Sequence, residues 1–163
     1  MIPKNIYFYW GNEKMSFLRY MTFYSFCKYN PDWNVTLIKR KNNSIKKDFG
    51  WSEKQDFNNF TGTDYIQYID ELEINIEYLE DEYPEIAKAT DSDVHISDLL
   101  GWYILGTKGG VIADTDILFF NKLLYDGFKE FDVGLITFKG NPLKNYIPVS
   151  FMIGSGNEFF KRI

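Results

Sequence analysis

At 163 residues the chain is long enough to bury a hydrophobic core and is read as one domain, 1–163. Its apolar content of 45% and charged content of 25% match an ordinary globular protein. A net charge of −5, from 23 acidic and 18 basic residues, argues against nucleic acid as a partner, because phosphate binding needs a basic surface.

Lys4–Trp10, "KNIYFYW", is rich in β-branched and aromatic residues and predicts a first strand. Met15, Leu18, Met21, Phe23, Phe26 and Tyr29 fall close to helical spacing, so Met15–Tyr29 predicts a helix. Asn30–Trp33, "NPDW", is a turn, and Trp33–Lys39 a second strand. The basic run Lys39–Lys47 reads as a solvated loop, with peripheral contact to an anionic membrane as the lesser option. Arg40–Gly62 is polar and irregular. Over Asp64–Tyr83, the residues Tyr65, Ile69, Leu72, Ile76, Leu79 and Tyr83 draw one apolar stripe at 4-3-4-3-4 spacing, which predicts an inserted acidic amphipathic helix.

Pro84 interrupts that helix. Asp91–Gly110 opens with N-cap residue types and closes on paired glycines, which predicts a helix with both ends marked. Val111–Phe120, "VIADTDILFF", then reads as a strand, followed by candidate strands Asp132–Phe138 and Pro148–Gly154 and a last helix opening near Gly156-Asn157. Strands alternating with helices imply an α/β fold with a mixed, mainly parallel sheet flanked by helices. The single cysteine, Cys27, excludes an intrachain disulfide and reads as a small buried hydrophobe. With no apolar stretch of signal or transmembrane length, a cytoplasmic location is expected.

The unusual feature is Asp114-Thr115-Asp116 within an apolar run. Burying an isolated carboxylate is costly unless a cation compensates. A helix, a Gly-Gly stop and an apolar entry precede the pair, which places it near the carboxyl end of a strand, where ligand sites of α/β sheets collect. Two close carboxylates repel and favour a shared hard cation, Mg²⁺ or Mn²⁺, whose shell substrate phosphates often complete. A strand-end turn with two solvated aspartates is the other option. A second pair, Asp91-Ser92-Asp93, reads as helix N-cap chemistry, His95 as structural, and Gly154–Asn157 as a cap or turn. One histidine leaves no material for a His-based zinc site or a Ser-His-Asp triad.

"HISDLLGWYILGTKGGVIADTDILFF", with "IPKNIYFYWG" and "NPDWNVTL" before it, resembles the DXD-containing sugar transferases, which include capsule and lipopolysaccharide glycosyltransferases, α-1,6-mannosyltransferase-like proteins and the glucosylating domains of clostridial toxins. The resemblance covers much of 2–38 and 95–163. It implies a GT-A (Rossmann-like) fold and a Mn²⁺- or Mg²⁺-dependent transfer of a hexose from a nucleotide sugar, with a UDP-sugar donor expected. The acceptor would be a saccharide, a glycolipid or another hydroxyl, and the anomeric configuration would typically be retained. By that resemblance Asp116 binds the metal directly and Asp114 holds the metal shell and the donor's ribose or sugar. Asp98 hydrogen-bonds donor sugar hydroxyls, Ser97 lines the donor pocket, and Trp10 lies against the base. The chain departs from the family at Gly101, where an arginine is common, and at Ile112, where a tyrosine is common; family domains also usually continue beyond the last helix. These departures motivate an alternative, a non-catalytic nucleotide-sugar or carbohydrate-binding protein on the same fold. A third reading is an interaction module using the Asp64–Tyr83 helix.

Overall fold

The computed structural model describes residues 1–11, 13–41, 60–135 and 148–161. Most of the basic run, most of the irregular segment, and residues 136–138 of one candidate strand lie outside the described residues.

Among the described residues the strands are β1 (Asn5–Trp10), β2 (Asn34–Lys39), β3 (Asn75–Tyr78), β4 (Gly110–Ala113), β5 (Val133–Leu135) and β6 (Phe151–Gly154). They form one sheet in the order β3-β2-β1-β4-β6-β5. β3, β2, β1 and β4 run parallel to one another, while β6 runs antiparallel to both β4 and β5. The helices are α1 (Phe17–Tyr29), α2 (Leu79–Glu82), α3 (Pro84–Ala89), α4 (Asp93–Thr107) and α5 (Glu158–Lys161).

Because strand side chains alternate between faces, each strand feeds two cores. Ile6, Phe8, Val35, Leu37, Val111, Ala113, Phe151 and Ile153 join the core that contains Phe23 and Phe26 of α1. Tyr7, Ile38, Ile112 and Met152 join the opposite core, with Ile96, Leu100, Ile104 and Leu105 of α4. Burial on both faces explains why the central strands read as near-continuous apolar runs.

The two long helices are ended by the residues their sequences advertise. Ser16 caps α1 by accepting from Arg19 N, and the Asn30 N–H returns to Phe26 O just before Pro31. Ser92 caps α4 by accepting from His95 N, and Lys108 and Gly109 both donate to Ile104 O. Gly109 and Gly110 then adopt φ of +69° and +122°, and a Cβ on Gly110 would lie 2.6 Å from Asn5 O. Only glycine admits that turn and that approach to β1. The Cys27 thiol is half-buried, and burial raises its pKa to about 11, in keeping with a packing role.

Two expectations are corrected. Asp64–Tyr83 is not one inserted acidic amphipathic helix: Ile66–Leu72 is a 3₁₀ helix, Glu73 turns through φ 52°, Asn75–Tyr78 is β3, and only Leu79–Glu82 is α-helical. The apolar stripe is compatible with a helix, but β2 needs a partner along its outer edge, and Thr36 to Lys39 pair with Asn75 to Tyr78. The interaction module therefore loses the helix it required. The second correction concerns Val111–Phe120, where the strand stops at Ala113 and the remainder leaves the sheet along α1.

Candidate active site

The carboxyl ends of β1 and β4 are neighbours, so Trp10 and the Asp114-Thr115-Asp116 segment arrive at the same edge of the sheet. Asp114 remains in line with β4, its N–H donating to Ser150 O at 2.8 Å. Alternation from Ala113 puts its side chain on the α4 face of the sheet. There the carboxylate of Asp98, on α4, adds to its electrostatic load.

After Asp114 the chain turns away, and α1 supplies the hydrogen bonds that the sheet no longer provides. Buried Thr22 Oγ1 donates to Thr115 O at 2.8 Å, Phe119 N donates to Ser25 Oγ at 3.1 Å, and Leu123 N donates to Asn30 Oδ1 at 2.8 Å. Polar residues on the buried face of α1 thus act as a clamp on the loop. The turn carries Asp116 over to the α1 side, where its exposed carboxylate lies 3.3 Å from Arg19 Nη1.

A cleft of about 630 Å³ opens at this edge, lined by Trp10, Lys14, Arg19, Phe60, Asp116 and Leu118 among others. Trp10 is half-buried and oriented by its indole N–H, which donates to Glu13 O at 2.8 Å. The Arg19 guanidinium stands 6.0 Å from the Trp10 ring centroid.

Electrostatics separate the two aspartates of the motif. Burial first, then the charges of Asp116 and Asp98, push the Asp114 carboxyl up to about 6, with Arg19 opposing. Asp98 is also raised, by burial, with His95 opposing. The structure therefore brings Asp98 into the field of Asp114, and Trp10 and Asp116 into one cleft. Ser97 and Asp98, both half-buried on α4, and Asp114 do not line that cleft. His95 is exposed, and its backbone serves the α4 cap. Gly154–Asn157 is a turn in which Asn157 Oδ1 accepts from Phe159 N.

Among the described residues, no three His, Cys, Asp or Glu side chains converge on a complete metal site. Two carboxylates are nevertheless what Mg²⁺ or Mn²⁺ asks of a protein when substrate phosphates fill the rest of the shell. Asp114 feels the charge of Asp116, behind the effect of burial, and a divalent cation taken by both carboxylates would relieve that repulsion; the chemistry of the two donors suits such an ion.

Arg19 did not stand out in the sequence, where it lies in an ordinary helical pattern. A signal existed nonetheless: a helix that follows a parallel strand starts at that strand's carboxyl edge, so the first turn of α1 had to border the site.

The sequence profile described as the glycosyltransferase sugar-binding region containing DXD motif matches residues 18–132. No curated protein sequence matches the chain. Among solved structures, the PaToxG glycosyltransferase is similar, with a TM-score of 0.65 and 15% identity over 98% of this chain. The chain spans 58% of the length of that structure. The architecture is accordingly GT-A-like, a mixed, mainly parallel sheet flanked by helices.

Proposed function

The chain belongs to the DXD-containing glycosyltransferase family, and from that premise we propose that it transfers a hexose from a UDP-sugar to a hydroxyl of a saccharide or glycolipid acceptor, with retention, in the cytoplasm. The observation that supports this reading is that Trp10 and Asp116 line one cleft at the carboxyl edge of the sheet, while Asp114, two residues before Asp116, lies in the field of Asp98.

Trp10 offers a ring face on which a nucleobase can stack. Asp98 accepts hydrogen bonds from donor sugar hydroxyls, and Ser97, its neighbour on α4, contributes a hydroxyl to the donor pocket. Asp114 and Asp116 hold a divalent cation, which supplies positive charge for the departing nucleoside diphosphate. No side chain is assigned as a nucleophile. The acceptor oxygen forms its bond to the anomeric carbon on the face from which the diphosphate leaves, and the acceptor proton passes to a diphosphate oxygen. Among the described residues no helix is long and apolar enough to cross a membrane.

A thermal-shift panel of nucleotide sugars, with and without Mn²⁺, tests the reading on the wild type and on Asp116→Ala. A ligand at about 100 times its dissociation constant adds about 2.7 kcal/mol. The expected result is a Mn²⁺-dependent shift with one donor that disappears in the variant. No shift with any donor overturns the reading. A shift without hydrolysis or transfer on a broad acceptor panel would make this the non-catalytic binding protein instead.

A further inference from the structure

We propose that Arg19 reads the β-phosphate of the donor and selects nucleoside diphosphates over monophosphates, exchanging its resting contact with Asp116 for that phosphate as the site loads. This deepens the donor-site reading above and rests on it. Arg19 borders both residues of that cleft: its guanidinium is 6.0 Å from the Trp10 ring centroid and 3.3 Å from the Asp116 carboxylate. A nucleotide whose base covers Trp10 and whose terminal phosphate approaches Asp116 comes within its reach. The Arg19 side chain is only 18% exposed, and it lines the same cleft as Trp10 and Asp116. A planar guanidinium can engage two phosphate oxygens at once, which an ammonium cannot.

Position 101 cannot take over this task in the present packing. A Cβ there would point at Met152 Cε and Ile112 Cγ2, 3.1 and 3.5 Å away, into the contact between α4 and the sheet. The guanidinium beside the motif is delivered by the first turn of α1 instead. In the resting protein it also competes with any cation for Asp116. Removing it should therefore weaken diphosphate binding and strengthen metal binding, two changes of opposite sign that a purely structural role would not produce.

The test is isothermal titration of wild type, Arg19→Gln and Arg19→Lys with UDP, with UMP and with Mn²⁺ alone, the nucleotides being measured both in chelator and in Mn²⁺. For Arg19→Gln, UDP affinity should fall tenfold or more, UMP affinity should stay within about twofold, and Mn²⁺ alone should bind several-fold more tightly. Arg19→Lys keeps the charge without the fork. It should lose most of the UDP preference while leaving Mn²⁺ affinity unchanged, and it stands as the second variant should Arg19→Gln fail to fold. An unchanged UDP-to-UMP ratio in the variants, or equal losses for both nucleotides, overturns the role of Arg19 and leaves the donor site intact. A wild type that binds neither nucleotide, even with Mn²⁺, overturns the donor site and this proposal with it.

Discussion

Arg40 Nε lies 2.8 Å from Asp93 Oδ1, an ion pair that joins the end of β2 to the first turn of α4. Tyr9 completes the contact, donating its hydroxyl to the same Asp93 oxygen at 2.5 Å, while Arg40 Nη2 donates to Thr90 O at 3.3 Å. Burial, and then the Asp93 charge, hold the Tyr9 phenol well above its ordinary pKa, so it remains a donor. The cluster sits directly behind Trp10 and Gly11; a Cβ on Gly11 would come within 2.6 Å of Asp93 Oδ2. It thereby sets how Trp10 and the helix bearing Asp98 meet.

Breaking this pair from one side should be expensive. Asp93→Ala leaves a guanidinium only 9% exposed without its carboxylate. A loss at the lower end of the range for buried pairs, about 3 kcal/mol, is expected because Asp93 is itself partly exposed. Replacing both residues with apolar ones should recover much of that loss. Urea denaturation of the two single variants and the double variant measures it; equal costs for the double and the sum of the singles would show that the pair is not coupled.

Asp114 makes stability depend on pH. Its carboxyl titrates near 6 in the folded protein against 3.8 as a free group, so the charged form is the one that folding disfavours. The stability associated with the protonated form is complete below about pH 4 and is lost as pH rises through about 6. The full difference is of order 3 kcal/mol. In metal-free solution, wild type should therefore lose stability relative to Asp114→Asn between about pH 4 and about pH 7.5, and Mn²⁺ should return it. Denaturation of both proteins at the two pH values measures this, and a difference that does not vary with pH would refute the raised Asp114 carboxyl.

How much of this was readable in the chain depends on whether the decisive interaction was local. β1, α1, β2 and α4 follow from periodicity and caps, since Ser16, Asn30-Pro31, Ser92 and Gly109-Gly110 act within one turn of themselves. The position of Asp114 near the carboxyl end of a strand follows in the same way, although that strand stops at Ala113. Residues 64–83 depart from their helical periodicity because the demand that shapes them lies elsewhere, in the outer edge of β2. The side-chain spacing of Ile69, Ile76 and Leu79 carries no record of that edge. The loop after Asp114 reads as strand in the sequence because its backbone partners are side chains of α1, about 93 residues away, and no periodicity encodes them.

The α1 clamp gives a prediction that separates the loop from the core. Thr22→Val preserves shape but leaves the Thr115 carbonyl without its buried donor, at a cost of about 1–3 kcal/mol. Because Thr115 lies between the two aspartates, donor binding that depends on Mn²⁺ should weaken beyond what the stability loss explains. Cys27→Ala, on the same helix but away from the loop contacts, serves as the comparison. If both variants reduced Mn²⁺-dependent UDP binding equally at matched stability, the clamp would have no particular hold on the motif.

Gly101 offers the sharpest contrast between family pattern and local packing. Arginine at this position would have to grow from a helix face already pressed against Met152 and Ile112. Overpacking of that kind costs about 1–3 kcal/mol. Gly101→Ala should be nearly neutral, since the gain in helix propensity, about 1 kcal/mol, offsets a 3.1 Å approach to the movable end of Met152. Gly101→Arg should lower the melting temperature without tightening UDP binding, because the new guanidinium starts on the sheet side of α4 while Arg19 already borders the cleft. A Gly101→Arg protein that is as stable as wild type and binds UDP more tightly would mean that α4 can rotate or slide on the sheet. The positions of Asp98 and Ser97 in the site would then have to be drawn from that second packing.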